Sequence, residues 1–333
     1  MKIKLYFGNE ETIKKSGIGR ALKHQMMALT LNNIPFTHDK NDKDYDILHI
    51  NTIFPSSPFL IHEAHKLHKK IIYHAHSTKE DFKDSFVGSN AFAPFYKKWL
   101  ISLYKQADVI ITPTPYSKRL IESYGLNKKV YAISNGICLE DYNPSQEQIQ
   151  TFKDYFHIND EKVIISVGWL FERKGFDTFC EVAKALPHYK FIWFGDINLS
   201  APTKKIRQYI KNPPDNVILP GYVTGDVIKG AYGYCDVFFF PSREETEGIV
   251  VLEALAAKCN IVLRDIPVFD DWLENGKHVY KGKSNEDFIR IINDIIYKRL
   301  PSTAKAGYEV AKARELSIIG KELLKVYNDV MNL

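Results

Sequence analysis

Short apolar runs rich in β-branched and aromatic residues recur along the chain, and each is followed by a turn or by a stretch with helical spacing. In the first half these runs are residues 2–8, 45–50, 70–76, 108–113 and 129–134. A second set comprises residues 162–168, 190–195, 216–222, 236–241 and 260–265. Buried strands that alternate with helices are typical of parallel sheets with crossover connections. The pattern therefore predicts two doubly wound, Rossmann-like α/β domains.

The polar segment 143–161 separates the two sets of strands. A chain of 333 residues also exceeds the size at which a single core usually splits. We therefore predict an N-terminal domain (1–155), a C-terminal domain (156–315), and a final helix (316–333) able to pack back on the first domain. The sequence contains no apolar run of transmembrane length and no signal-peptide pattern at its start, so we expect a cytoplasmic protein.

In open α/β sheets, ligands bind outside the carboxyl ends of the strands. Four loops at such positions carry glycine or polar signals: residues 14–21, 74–81, 168–176 and 241–251. We expect these loops to face one another across a cleft between the two domains.

The most specific of these signals is "EETEGIVVLEALAAK". Glu245 and Glu253 stand eight positions apart, with Gly248 between them at the start of a predicted helix. The N–H groups and dipole at such a helix start can hold a phosphate, and a carboxylate can accept hydrogen bonds from two vicinal sugar hydroxyls. One acid is thus suited to a ribose and the other to a hexose. The alternative, two surface charges, fits poorly with an otherwise apolar helix.

The other three loops are less specific. Arg173 and Lys174 precede a glycine and suit a diphosphate, although a surface basic pair would have the same sequence. Gly17 belongs to a lone G-x-G before a helix, which is either an anion site or an ordinary turn. His76 and His74 fall on the same side of their strand, either near a ligand or as hydrogen-bonded packing.

Charge is unevenly distributed: residues 1–150 hold 20 Lys+Arg against 15 Asp+Glu and eight of the eleven histidines. This asymmetry suggests an anionic partner. Within that half, residues 90–106 interleave aromatic rings with lysines, as an in-plane membrane helix does, with packing on the sheet as the alternative. The small basic excess and the lack of a known motif argue against nucleic acid. The four cysteines are scattered, which argues against a zinc knuckle or disulfide framework.

With these residues, the chain resembles the family-four retaining glycosyltransferases of GT-B fold, which have an E-x7-E signature. The resemblance extends to "HAH", "SNGI", "SVGWLFERKG", "PGYV" and "CDVFFFPS". That family uses nucleotide-activated sugars, mostly UDP-linked, without a metal ion or other cofactor. One departure is Trp169, where many members have arginine after the glycine of this loop.

The resemblance implies a role for each matching residue. Arg173 and Lys174 would bind the diphosphate, Glu253 the ribose and Glu245 the donor hexose. His76 would lie close to the transferred sugar. The remaining donor-site positions would be Gly17, Tyr222, Gly248, Ile249 and Val250.

Within the family, "FERKGFDTFCEVAKALPHYKFIWFG" and "HAHSTKEDFKDSF" look most like the bacterial glycolipid synthases. This resemblance implies transfer of glucose or galactose from a UDP-sugar to a monoglycosyl-diacylglycerol, by an enzyme held peripherally on the anionic inner face of the cell membrane. The alternatives are a soluble or polysaccharide-precursor acceptor, a nucleotide-sugar epimerase, a phosphorylase, or a sugar-nucleotide-binding module without catalysis.

Overall fold

A computed structural model describes residues 1–8, 13, 16–196 and 202–333. Lys14 and Lys15 of the predicted 14–21 loop lie outside the described residues. The chain divides into two compact units. Unit 1 comprises Met1–Phe82, Ala91–Ile137 and Arg314–Leu333, and unit 2 comprises Lys83–Asn90 and Cys138–Ala313. Residues 138–155 thus group with unit 2, whereas the sequence places them in the first domain.

Unit 1 is built on a six-stranded parallel sheet in the order β2-β1-β3-β4-β5-β6. The strands are β1 (Ile3–Tyr6), β2 (Phe36–Thr37), β3 (Ile47–Ile50), β4 (Lys70–His74), β5 (Val109–Thr112) and β6 (Lys129–Ala132). Five helices among the described residues are α1 (Gly17–Leu31), α2 (Ser57–Lys66), α3 (Lys79–Phe82), α4 (Ser89–Tyr104) and α5 (Pro115–Glu122). The apolar runs predict five of these six strands; β2 has two residues, too few for a periodic signal.

Both faces of this sheet are covered, which explains why its strands read as continuous apolar runs. Tyr73 belongs to the core cluster that contains residues of α2 and α4. Its neighbour Ile72 belongs to the cluster on the opposite face, with residues of α1. Successive side chains of a strand point to opposite faces, so a sheet buried on both sides leaves no polar alternation.

Unit 2 repeats the architecture with strand order β12-β11-β10-β7-β8-β9. Its strands are β7 (Val163–Val167), β8 (Lys190–Phe194), β9 (Val217–Gly221), β10 (Val237–Phe240), β11 (Ile261–Arg264) and β12 (Tyr280–Gly282). Its helices are α6 (Gln146–Tyr155), α7 (Phe176–Ala185), α8 (Lys204–Lys211), α9 (Asp226–Tyr234), α10 (Ile249–Ala256), α11 (Asn285–Ile296) and α12 (Ala304–Lys312). The prediction of two parallel α/β sheets is confirmed.

The strand order of unit 2 reverses between β7 and β10, since β8 and β9 continue on one side while β11 and β12 continue on the other. Such a reversal opens a crevice at the carboxyl ends of the two central strands, where α/β proteins bind ligands. The loops 168–176 and 241–248 leave the sheet at this point.

The last helix, α13 (Leu316–Met331), belongs to unit 1. It packs so closely on α1 that a Cβ added to Gly320 would lie 2.4 Å from the backbone oxygen of Ala28. Asn32 fixes the contact by donating to the Ser317 carbonyl at 3.1 Å. None of the helices in the described part of the chain has the length and hydropathy of a transmembrane segment.

Candidate functional site

The loop after β7 brings Arg173 and Lys174 to the start of α7. Gly175 caps this helix with a φ of +74°. A Cβ at this position would come within 2.3 Å of the Pro241 carbonyl oxygen. Only glycine fits here, because the backbone is left-handed and also touches the loop that follows β10. The loop 168–176 is thereby placed against the loop 241–248.

Lys174 and Glu245 form the charged centre of this crevice. The Lys174 Nζ donates to Glu245 Oε1 at 2.5 Å, and Ser242 Oγ donates to the same oxygen at 2.7 Å. Burial alone would raise the pKa of Glu245, but the positive charges of Lys174 and Arg173 and these hydrogen bonds outweigh it. The pKa of Glu245 is therefore lower than usual, and the carboxylate stays ionised at neutral pH.

Arg173 is nearly buried and forms hydrogen bonds with backbone groups of unit 2. Its Nε donates to Ser85 Oγ at 3.0 Å, and its Nη1 donates to the Glu244 carbonyl at 2.8 Å. Its own N–H donates to the Asp84 carbonyl at 3.0 Å. Arg173 thus ties the loop that carries Lys174 to Glu244, the residue before Glu245. Its predicted contact with a diphosphate stays a prediction.

Gly248 caps α10 with φ +85° and ψ +66°. The helix therefore begins directly after the glycine, as the sequence predicts. Ile249 and Val250 are its first two residues, and the first N–H groups of a helix have no acceptor within it. The N-terminus of α10 therefore presents backbone donors at the end of the loop that holds Glu245.

Glu253 lies on α10, with only 1% of the residue exposed. Tyr232, at the end of α9, donates its hydroxyl to Glu253 Oε2 at 2.7 Å. Tyr222 follows β9 and is 40% exposed. All the unit 2 residues predicted from the sequence thus follow the carboxyl ends of its strands or lie on α10.

His76 follows β4 in unit 1, where it belongs to a stack of imidazoles. Its ring lies 4.0 Å from that of His74, and the His74 ring lies 5.4 Å from that of His49. The shared side expected for His74 and His76 is confirmed by this stack. His76 Nε2 lies 3.1 Å from Asn51 Oδ1, and His49 Nδ1 lies 2.9 Å from the Tyr327 hydroxyl. Gly17 begins α1, after the N-cap Ser16.

Burial lowers the pKa of all three imidazoles in this stack. The pKa is about 4 for His76 and about 3 for His49, and that of His74 lies well below its ordinary value. A buried imidazole with neutral neighbours loses its hydration when it is charged, so the neutral form is favoured. His76 is therefore an uncharged hydrogen-bonding group at neutral pH.

Several residues that shape these sites are absent from the sequence-based prediction: Asn51, Asp177, Tyr232, Ser242 and Arg243. Asn51 follows β3, so its place at a strand end was a usable signal. Asp177 and Tyr232 carry no such signal, since their partners lie 66 and 21 positions away.

No group of three or more His, Cys, Asp or Glu side chains that could hold a metal ion occurs in the residues the structure describes.

Comparison with known proteins identifies the family. The profile for "Glycosyl transferases group 1" matches residues 147–313, and that for "Glycosyltransferase Family 4" matches residues 20–141. The chain is 45% identical to the processive diacylglycerol alpha-glucosyltransferase of Acholeplasma laidlawii, over 100% of this chain and 99% of that protein. It is 27% identical to the alpha-galactosylglucosyldiacylglycerol synthase of Streptococcus pneumoniae, over 70% of this chain and 63% of that one.

Solved structures agree on the fold. Anabaena HepE, crystallised with UDP and glucose, has a TM-score of 0.80 at 16% identity and covers 99% of this chain and 100% of its own. Sucrose-phosphate synthase from Thermosynechococcus elongatus has a TM-score of 0.83 at 14% identity, with 99% of both chains covered. The full-length relative and the two profiles show that this chain belongs to the group 1, family 4 glycosyltransferases and is a hexosyltransferase of GT-B fold.

Proposed function

We propose that the chain transfers glucose from UDP-glucose to glucosyl-diacylglycerol, with retention of the anomeric configuration. The observation that carries the donor half is the Lys174–Glu245 pair beside the N-terminus of α10, at the switch point of the unit 2 sheet. The acceptor half rests on the full-length similarity to a processive diacylglycerol alpha-glucosyltransferase. By that similarity, we also expect diacylglycerol itself to accept the first glucose.

In the donor site, Lys174 and the N–H groups of Ile249 and Val250 hold the diphosphate, where cation and helix dipole favour negative charge. Glu253 accepts hydrogen bonds from the ribose hydroxyls. Glu245 accepts them from the hexose, and its lowered pKa suits it to this acceptor role.

The proposed mechanism of glucose transfer depends on stabilising the negative charge that develops on the leaving diphosphate. As the glycosidic bond to the diphosphate breaks, negative charge grows on the leaving phosphate and is stabilised by Lys174, supported by Arg173. The acceptor hydroxyl attacks from the same face and passes its proton to a phosphate oxygen. His76 is a neutral hydrogen-bonding partner for the transferred sugar. Tyr222 completes the donor-binding residues of unit 2, and Gly17 remains a predicted phosphate-binding position of unit 1. No step requires a metal ion, so activity should survive exhaustive chelation.

The proposal is tested with UDP-glucose labelled in the sugar. The purified protein is offered diacylglycerol, glucosyl-diacylglycerol, or a soluble glucoside, and lipid products and released UDP are both measured. We expect labelled mono- and diglucosyl lipid, with UDP released only when a lipid acceptor is present. Label in the soluble glucoside alone would contradict the lipid acceptor. Conversion of UDP-glucose to another UDP-hexose would contradict transfer and indicate an epimerase.

We further propose that unit 1 binds the membrane surface through part of α4. Phe92 and Phe95 are 62% and 68% exposed and, three positions apart, share one helix face. Lys98 is also exposed. Other side chains of the helix pack inward: Leu100 is buried, and Trp99 donates to the Ile53 carbonyl at 3.0 Å. The alternative of sheet packing thus describes the second half of residues 90–106.

Helix α2 supports this proposal, because it packs on the same core cluster as α4. Its Phe59 is 78% exposed, and the exposed side chains beyond it are His62, His65 and Lys66. Exposed aromatic rings next to cations are suited to anionic lipid headgroups.

Co-sedimentation with phosphatidylglycerol-containing vesicles tests the membrane proposal. The double substitution Phe92→Ser and Phe95→Ser should weaken vesicle binding tenfold or more, since full burial of each ring is worth roughly 1.5–3 kcal/mol and a tenfold change needs only about 1.4 kcal/mol. The control is Tyr155→Ser with Tyr297→Ser, which removes two exposed aromatic rings from unit 2. Equal loss in both variants, or none in the first, would contradict membrane binding by α4.

A further inference from the structure

An ion pair between Arg243 and Asp177 joins the two loops of unit 2 that carry Lys174 and Glu245. The guanidinium donates from Nη1 to Asp177 Oδ1 and from Nη2 to Asp177 Oδ2, each at 2.8 Å. Asp177 is the second residue of α7, and Arg243 lies two residues before Glu245. The roles proposed above use neither residue.

The pair is embedded in the protein. The Asp177 side chain is 1% exposed and that of Arg243 is 35% exposed. Burial would raise the pKa of Asp177, but hydrogen bonds and charges from Arg243 and Lys205 outweigh it and lower the pKa. A buried carboxylate that loses its partner keeps its desolvation cost, so the two residues depend on each other.

The same arginine also binds the loop backbone. Its Nη1 donates to the Glu172 carbonyl, and its main-chain N–H donates to the Arg173 carbonyl at 2.7 Å. Ser242, just before it, reaches the Arg173 carbonyl at 3.3 Å and Glu245 Oε1 at 2.7 Å. Arg243 is therefore bonded on both sides of the segment that presents Lys174.

We propose that Arg243 is a positioning residue. Its two hydrogen bonds to Asp177 fix the position of Lys174 relative to Glu245. Arg243 fixes the backbone of both loops, whereas Lys174 and Glu245 contact the donor. The inference rests on the proposed donor site of unit 2. It does not depend on which acceptor the enzyme uses.

The fork geometry explains why arginine occupies this position. A planar guanidinium can meet both oxygens of Asp177 while still donating to a carbonyl, whereas an ammonium is a single point charge. Lys205 shows the contrast within the structure. It donates to Asp177 Oδ2 at 2.7 Å and forms an ion pair with Glu181 at 3.0 Å, on the α7 side, and is 48% exposed.

The experiment compares Arg243→Ala, Arg243→Lys and Asp177→Asn with the control Lys205→Ala. For each variant, UDP affinity is measured by calorimetry, kcat by glucose transfer, and folding by thermal unfolding. Because a displacement of about 1 Å can cost about a hundredfold, Arg243→Ala should lower kcat about 30- to 100-fold and UDP affinity about tenfold. Arg243→Lys should recover only part of this loss, and Lys205→Ala should stay within about twofold of wild type.

A double-mutant cycle separates positioning from simple destabilisation. Residues in one hydrogen-bonded pair give non-additive effects, so Arg243→Ala with Asp177→Asn should be no slower than the worse single variant. Should Arg243→Ala not fold, Arg243→Lys and Asp177→Asn provide the same comparison. A variant with a lower Tm but with kcat and UDP affinity within about twofold of wild type would overturn the proposal, as would additive losses.

Failure of the proposed function looks different. If wild type binds UDP but glucosylates no lipid, the proposed function fails, and the UDP affinity of the Arg243 variants still decides the positioning role. If wild type does not bind UDP at all, both inferences are overturned.

Discussion

The two units share a six-stranded parallel sheet and place polar groups at the carboxyl ends of its strands, yet the chemistry of those groups differs. Unit 1 stacks three imidazoles, His49, His74 and His76. Unit 2 pairs charges in close contact, Lys174 with Glu245 and Arg243 with Asp177. One backbone architecture can therefore keep titratable groups in its interior either by holding them neutral or by neutralising them in pairs.

The two solutions make the units sensitive to different changes. A buried neutral histidine takes up a proton more readily in the unfolded chain than in the folded one. Acid should therefore lower the stability of unit 1. A buried ion pair keeps its charges ionised but fails when one partner is removed, so unit 2 should respond to substitution.

Mild acid should destabilise unit 1 more than unit 2. In the unfolded chain the three histidines titrate near their ordinary pKa of about 6.5, whereas folded His76 and His49 have pKa values of about 4 and 3. Between these limits the unfolded state binds more protons, so stability is fully present above pH 6.5 and is lost as pH falls towards 4. Three such groups together cost about 4 kcal/mol per pH unit.

Hydrogen exchange followed by mass spectrometry measures the two units in one sample. After correction for the intrinsic exchange rate, opening free energies of β3 and β4 peptides should fall between pH 7 and pH 5.5, while those of β7 and β10 should change much less. Equal losses in both sheets would show that the histidine stack does not set the acid response.

Lys174→Ala should remove about 2–4 kcal/mol of transition-state stabilisation, a fall in kcat of about 30- to 900-fold, because one cation at a leaving oxyanion is lost. The matched control is Lys184→Ala, an exposed lysine on the same α7 region. Steady-state glucose transfer and UDP binding are measured for both. Near-normal activity of the Lys174 variant would remove the basis for the proposed diphosphate site.

Glu245→Gln should separate binding from transfer. The amide keeps an oxygen for Ser242 but no longer neutralises Lys174, so the affinity for UDP should rise by on the order of 1 kcal/mol, about fivefold. Glucose transfer should fall, since the hexose loses its carboxylate acceptor. Calorimetric titration with UDP and a transfer assay give the two values. Weaker UDP binding would show that Glu245 does not compete for Lys174.

Tyr232→Phe should weaken UDP binding by about 1 kcal/mol, or fivefold, because Glu253 loses one hydrogen bond that fixes its carboxylate. The control is Tyr280→Phe, since Tyr280 is also buried in unit 2 and donates to the Pro301 carbonyl at 2.7 Å. Both variants should lose some thermal stability, but only the first should bind UDP more weakly. The same loss of UDP affinity in both would assign Tyr232 a general packing role.

The sequence was a good guide wherever a signal is local. Ten of the strands, the glycine starts of α7 and α10, and the glutamates around Gly248 follow from periodicity and motif spacing. The membrane segment shows the limit of such reasoning. The sequence predicts one membrane-binding face from all the apolar and aromatic residues of this segment. In the structure Trp99 and Leu100 pack inward, and of its aromatic residues only Phe92 and Phe95 are exposed.

Hydrophobic period and glycine positions are properties of neighbouring residues, so they predict which residue types stand at the carboxyl ends of which strands. Which distant side chains meet depends on the three-dimensional packing. Arg243 contacts Asp177, from which it is separated by 66 positions, and His49 contacts Tyr327 across 278 positions. Such partners are selected by how strands and helices pack, and that packing carries no periodic signal along the chain. The sequence predicts that residues 316–333 can pack back on the first domain, but not that α13 meets α1. That pairing depends on the apolar core of unit 1, in which both helices bury side chains.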